Sequence, residues 1–361
     1  MSTYPESNTL TAQREDLLRP AWTRDRLDSA DPPEVEAAYF DSALQAWVLS
    51  RHEDLVAAFH APSLIPGRRD LADVFMESEE SARLTMREEV RSALCPNHVR
   101  AWREKLRIDA EDLCRQLPIA EPVDLIADYA RPLCLRFAAM VTGLEQNDAD
   151  NLEELAQIVS ASTADPENPH LRGPAKAANA TLRTYFNAGP EALRDPGFVG
   201  LSQTLLRIVS TAWYALIRFP DQRRLLRDSQ LSIHQAIEEL LRYAGVVRLL
   251  TRTATEDIEL NGASIRKGDQ VLLRTFAAGH DSARFSEPEK LDCARRDPGH
   301  FAFGAGGHAC VAANLIRTAA ITMTLPLLAR FASMQLARPV EWHGGSIMRS
   351  PASLWVILGC S

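Results

Sequence analysis

The segment Phe303-Gly304-Ala305-Gly306-Gly307-His308-Ala309-Cys310 constrains this chain more than any other. Three glycines in four positions make a tight turn in conformations other residues resist. They let backbone N–H groups converge on one atom. A helical pattern starts near Cys310 and runs to about Phe331. Unpaired N–H groups and the dipole at a helix start favour an anion. A thiol of ordinary pKa about 8.5 is therefore expected to be lowered there. That is the physics of a thiolate ligand or of a nucleophile. A glycine loop with an incidental cysteine is the plainer alternative.

The other cysteines are Cys95, Cys114, Cys134, Cys293 and Cys360, and no CxxC pair occurs. A zinc or iron–sulfur framework is not expected, and these five read as small buried hydrophobes. With 361 residues and 46% hydrophobic content, the chain can bury a core without staples. No repeat or linker divides it, so one domain over residues 1–361 is expected. Forty basic against 48 acidic residues argue against a nucleic-acid binder, which needs a basic face. The most apolar long stretch, Phe198 to Phe219, is interrupted by Ser202, Gln203, Thr204 and Arg207. It does not qualify as a membrane span. The opening MSTYPESNTLTAQRED lacks the basic-then-apolar order of a signal peptide. A cytoplasmic protein without membrane insertion is expected.

Periodicity predicts a mainly α chain with a small β region. Ala43 to Ser50 reads as a strand. Helices are predicted at His52–His60, Glu79–Leu94, Val99–Leu117, Leu125–Val141 and Asn147–Ser160. Thr163–Pro174, rich in Pro, Asn and Gly, reads as a loop before a helix at Ala175–Phe186, and Asn187–Gly197 as a second loop. A long helix follows from Phe198 to Arg218, then shorter ones at Asp221–Asp228 and Ser232–Tyr243. Arg252–Leu260 and Ser264–Arg274 alternate around Asn261-Gly262, a strong hairpin signal. An irregular stretch runs from Gly279 to Gly307, and Ser353–Leu358 reads as a closing strand.

On the helix Ser232–Tyr243, Glu239 and Arg242 are three apart and share a face. Exposed, such a pair contributes under about 1 kcal/mol. Buried, it needs a third partner to offset desolvation.

Loop, pair and intervening stretch together resemble the cytochrome P-450 family of haem-thiolate enzymes. Phe303 to Cys310 is similar to the family's haem-binding loop, Glu239-Leu-Leu-Arg242 to its ExxR motif, and Phe285, Pro288, Asp292 and Arg295 to the meander between them. The resemblance is strong from about Phe198 to Phe331, weaker from Arg83 to Leu117 and vague elsewhere. It implies the P-450 fold, a triangular and mainly helical prism with a small β region, and haem b (iron protoporphyrin IX) as cofactor. It implies Cys310 as axial thiolate and metal ligand, with Phe303, Gly304 and His308 around it. Arg295 becomes the third partner of Glu239 and Arg242. The haem propionates are assigned to Arg252, His300, Arg87 and Arg83; family members commonly carry His at the last of these positions. A guanidinium can serve there as a forked donor.

By the same resemblance the long helix crosses the distal face of the haem. Counting back from Phe219-Pro220 aligns Thr204 with the oxygen-activating threonine, and Gln203 stands where the family carries an acid. Glutamine cannot gain and lose a proton, though it can hold a water. Ala312 replaces a usual glycine, and the connection from Phe186 to Phe198 is shorter than in relatives. A bulky or partner-presented small-molecule substrate is therefore expected. Its pocket walls are assigned to Val199, Gly200 and Gln203 and to Val247, Arg248, Leu249 and Leu250, Arg248 facing an anionic group or solvent. The resemblance implies a monooxygenase that hydroxylates a small organic molecule in secondary metabolism. Electrons would come from a separate ferredoxin or flavodoxin, docked near Arg103, Lys105 and Arg107. Gln203 motivates a second reading: a peroxide user, or a catalyst of coupling, dehydration or rearrangement. A non-catalytic haem sensor is the third.

Overall fold

The computed structural model describes residues 35–67, 80–166, 168–186, 195–296, 299–343, 345 and 347–360. The chain opens with strands β1 (Tyr39–Asp41) and β2 (Ala46–Leu49), then helix α1 (His52–His60) and strand β3 (Leu64–Pro66). Helices α2 (Glu80–Ala93) and α3 (Pro96–Gln116) follow. Pro96 stands in the first turn of α3, where its missing N–H costs nothing; the helix thus begins three residues before the predicted Val99. Strand β4 (Pro122–Asp124) leads into a π turn (Ile126–Ala130) and α4 (Arg131–Thr142), closed by Gly143 at φ 74°.

Helix α5 (Gln146–Ala164) packs along α6 (Pro169–Tyr185). This corrects the loop expected over Thr163–Pro174. Asn168 caps α6 by accepting from the His170 N–H at 3.1 Å, Pro169 fills the first turn, and Pro174 lies inside the helix. Residues with loop composition here are helix-start signals, and packing on α5 overrides the cost of Pro174. The loop expected at Asn187–Gly197 lies mostly outside the described residues; its end belongs to α7 (Asp195–Val199).

The predicted long helix is present in three parts: α7, a π turn (Gly200–Thr204), and α8 (Leu205–Arg218). Every residue of α8 from Leu205 to Ile217 except Arg207 is buried. It therefore forms the centre of the largest apolar cluster, with Trp213 donating to Thr324 Oγ1 at 2.9 Å. Helices α9 (Pro220–Arg227) and α10 (Ile233–Ala244) come next.

The predicted hairpin is a nested one. Strands β5 (Leu250–Ala254) and β8 (Gln270–Leu273) pair antiparallel outside β6 (Ile258–Leu260) and β7 (Ala263–Ile265). Asn261 and Gly262 take φ 48° and 91°, the double left-handed turn that matches strand twist. The five-stranded sheet runs β1-β2-β8-β5-β3, with β2 and β8 parallel. After α11 (Thr275–Ala278) and an irregular stretch comes α12 (Ala313–Arg330), then β9 (Ser333–Leu336), β10 (Trp342–His343), β11 (Ser350–Pro351) and β12 (Trp355–Gly359). The last strand pairs with β4 and β9, tying the C-terminal tail to the first half. No helix among the described residues is long and apolar enough to cross a membrane.

Candidate functional site

Glu239 and Arg242 are fully buried on α10. Arg242 Nε and Nη2 each lie 2.7 Å from a Glu239 carboxylate oxygen. Arg295 Nε reaches Glu239 Oε2 at 3.1 Å, and the Asp292 N–H donates to Oε1 at 3.0 Å. Arg242 also donates to the carbonyls of Gly279 (2.6 Å) and Pro288 (2.9 Å), and its guanidinium lies 5.3 Å from the Phe285 ring. The triad pins the irregular segment, which leads to the cysteine loop, onto α10.

The loop closes on itself. Cys310 N–H donates to Phe303 O at 2.8 Å and Gly304 N–H to Phe301 O at 2.9 Å, with Gly304 and Gly306 at φ 65° and 66°. Gly306 to His308 form one 3₁₀ turn. A Cβ on Gly306 would lie 2.2 Å from Phe59 O on α1, so only glycine fits. The α12 helix starts at Ala313, three residues past Cys310. Cys310 thus precedes the helix, and the lowered thiol expected there is not found. Burial pushes the thiol up, against a hydrogen bond from the Ala312 backbone and the charges of Arg87 and Arg317. Cys310 is nevertheless accessible at the surface, while the segments around it desolvate the sulfur. A bound metal deprotonates such a thiol outright.

Among the cations, Arg87 donates to Ala309 O at 2.9 Å, beside the cysteine. The Arg83 side chain lies outside the described residues. His300 is set against Glu238 Oε2 at 3.1 Å, and its Nδ1 accepts from the Ala302 N–H. Arg317 holds the same Glu238 and lies 4.7 Å from the Phe303 ring. Arg252 is 5% exposed. Its one hydrogen bond among the described residues goes to Thr251 O at 2.8 Å, and it lies 5.3 Å from the Phe59 ring. No carboxylate pairs with it there, and burial pulls it down to about 10. A buried cation without counter-charge is costly, and an anionic group such as a propionate relieves it.

On the long broken helix, Gln203 is buried and Ser202 Oγ is buried without a hydrogen-bond partner among the described residues, both inside the π turn that ends at Thr204. Hydrophobic periodicity carries no mark of that widened turn. Val199 is buried and Gly200 opens the turn. Val247 takes the Thr275 hydroxyl on its carbonyl. Arg248 is 5% exposed, 4.5 Å from the Phe276 ring, and does not face solvent. Leu249 packs into a cluster with Ala46, Val48 and Leu272, and Leu250 lies beside Gly304.

A soft sulfur donor on a glycine loop, with the buried Arg252 guanidinium against the Phe59 ring that packs on the same loop and no carboxylate paired with it among the described residues, suits iron held in a dicarboxylate macrocycle, which is the donor set of a haem-thiolate protein. The comparisons agree. The family model described as Cytochrome P450 matches residues 232–333. The chain is 28% identical to nocardicin C N-oxygenase of Nocardia uniformis subsp. tsuyamanensis, over 85% of this chain and 88% of that one. It is 36% identical to the biotin biosynthesis cytochrome P450 of Bacillus subtilis, over 70% and 71%. Its fold matches the crystal structure of P450BioI in complex with hexadec-9Z-enoic acid ligated acyl carrier protein with TM-score 0.80, at 22% identity, covering 87% and 92%. The chain belongs to the cytochrome P450 family. It is an oxidoreductase of the monooxygenase type, and its cofactor is haem b.

Proposed function

We propose that this chain hydroxylates a small organic molecule of specialised metabolism, with electrons from a separate ferredoxin or flavodoxin. The observation that carries the reading is the accessible Cys310, held in a self-closing glycine loop with the Ala312 N–H on its sulfur. Haem held by a thiolate would supply the oxygen-activating chemistry, because the thiolate pushes electron density toward iron. Cys310 would be that ligand, and Phe303, Gly304 and His308 shape the loop. Arg252 and Arg87 would bind the propionates, with Arg83 and His300 as the further candidates. Glu239, Arg242 and Arg295 hold the loop's approach in place.

Thr204 Oγ1 passes the proton on the distal side. Gln203 orients a water but cannot ionise, so the relay runs through Thr204, the Ser202 hydroxyl and water. The unpartnered Ser202 Oγ supports that route. Val199, Gly200, Val247 and Leu250 border the substrate. The acyl carrier protein bound to P450BioI supports a bulky or carrier-presented substrate here, as does the short connection from Phe186 to Phe198. Arg107 is committed to Glu104 and Glu111, which leaves Arg103 and Lys105 to meet an acidic redox partner. The reading places the protein in the cytoplasm.

The second reading, a peroxide user or a catalyst of coupling, dehydration or rearrangement, draws its support from Gln203. The carbon-monoxide-bound reduced spectrum tests the ligand. The red-shifted Soret band is expected in the wild type and absent in Cys310→Ser; a band unchanged by that substitution refutes the assignment. Turnover with dioxygen, ferredoxin and its reductase supports the first reading, and turnover with peroxide alone the second.

A further inference from the structure

A cavity of about 430 Å³ lies against the Gly200–Thr204 turn. Its walls come from the π turn before α4, from α5, α6 and α8, and from β10 and β11. Arg131, Arg207 and His343 line it, and among the described residues no acidic side chain does. Most of the remaining wall is apolar, including Ile126, Ile158 and Leu206. That size and lining fall within the range of small-molecule sites, about 300–1,000 Å³.

The charge on these walls is incompletely matched. Arg131 is paired with Glu153 at 3.0 Å. Arg207 is not paired with a carboxylate among the described residues. Its Nε lies 3.4 Å from Ser160 Oγ and its Nη1 3.2 Å from Ser350 Oγ. Burial holds Arg207 below the usual guanidinium range. His343 is held down by burial and then by the charges of Arg207 and Arg131, which places the three groups within reach of one another. One guanidinium is thus left without counter-charge inside a largely apolar chamber, an arrangement that favours capture of an anion. The forked guanidinium matches a carboxylate in particular. Gln203 lines the same cavity, so an occupant touches the residue preceding Thr204.

We propose that this cavity binds an organic carboxylate with an apolar body, at a site separate from that of the haem, with Arg207 as its anion contact. The ligand is an effector and not the oxidised substrate, so the site goes beyond the reaction proposed above.

Calorimetric titration of the haem-loaded full chain with octanoate tests this, with and without saturating clotrimazole to block the haem face. Octanoate is expected to bind in both cases. Arg207→Gln is expected to weaken it by roughly tenfold or more, the scale of a charged hydrogen bond, and neutral octanamide is expected to bind as weakly. Ala161→Phe fills the cavity from α5 and retains both arginines. It is expected to abolish octanoate binding and leave the carbon-monoxide spectrum unchanged, which decides the matter if Arg207→Gln does not fold. Displacement of octanoate by clotrimazole overturns the proposal. So does wild-type affinity in Ala161→Phe or in folded Arg207→Gln, equal binding of octanamide, or no octanoate binding.

Discussion

Arg242 holds both carboxylate oxygens of Glu239 at 2.7 Å, and neither side chain is exposed. The pair lies on one helix, but its purpose is long-range. The other hydrogens of Arg242 bind carbonyls of Gly279, Pro288 and Lys290, and Glu239 receives Arg295 and the Asp292 N–H. Removing the negative partner leaves two guanidiniums facing each other. Glu239→Gln is therefore expected to cost about 3–5 kcal/mol, the scale of breaking a buried pair. A lowered urea midpoint and poor haem loading are the expected results. The exposed Arg107–Glu104 pair provides the contrast, because Glu104→Gln should leave the midpoint nearly unmoved.

Gly306 and Gly307 are neighbours in one turn with opposite demands. Gly306 has φ 66° and its Cβ would collide with Phe59 O at 2.2 Å, whereas a Cβ on Gly307 meets nothing within 4 Å. Gly306→Ala is expected to displace α1 or open the loop, and so to lose most of the haem absorbance per protein. Gly307→Ala is expected to load haem like the wild type. Equal haem content in the two variants would contradict this account of the loop.

The fold class and the contact between Glu239 and Arg242 are legible in the sequence, the helix boundaries less so. Glu239, Arg242 and Cys310 stand at spacings fixed by chemistry, and the turn at Asn261-Gly262 has one favourable backbone solution. The start of helix α6 reads as a loop because Asn168, Pro169 and Gly173 have loop composition, while packing on α5 is invisible locally. The π turn at Gly200–Thr204 adds one residue to a helix buried on nearly every side, so no single apolar stripe records the change of phase. Leu249 and Arg248 were assigned to pocket walls on sequence position alone. The sheet draws the first into core packing, and Phe276 covers the second. The raised Cys310 thiol follows from burial, which depends on which distant segments surround the loop.

Arg252 separates the stability of the empty protein from its grip on the cofactor. Burial pulls its guanidinium down to about 10, with no carboxylate partner among the described residues. Arg252→Met is expected to leave the urea midpoint of the apoprotein unchanged or higher, since a desolvated cation disappears. The same substitution is expected to speed haem loss to apomyoglobin by roughly tenfold, the scale of one charged hydrogen bond. A variant that loses apoprotein stability while retaining haem at the wild-type rate would assign Arg252 to the fold instead.

Glu238 gives the site a defined acid limit. Its carboxylate accepts from Arg317 Nε at 2.6 Å and Nη2 at 2.9 Å, and lies 3.1 Å from His300 Nε2. Burial opposes its ionisation, but the hydrogen bonds from His300 and Arg317 outweigh that and hold it at about 2. A carboxyl depressed on folding stabilises the native state above its ordinary pKa, and this contribution is lost as pH falls through the folded value. For Glu238 the window runs from about 4.5 down to about 2. Urea midpoints of wild type and Glu238→Gln at pH 6, 4 and 3 measure it. The wild type is expected to lead clearly at pH 6, and its lead to shrink at pH 4 and again at pH 3. Because Arg317 also lies over the Phe303 ring, haem loading in Glu238→Gln is expected to fall as well. A lead that stays constant from pH 6 to pH 3 would remove Glu238 from the acid response and leave its pairing with His300 without energetic weight.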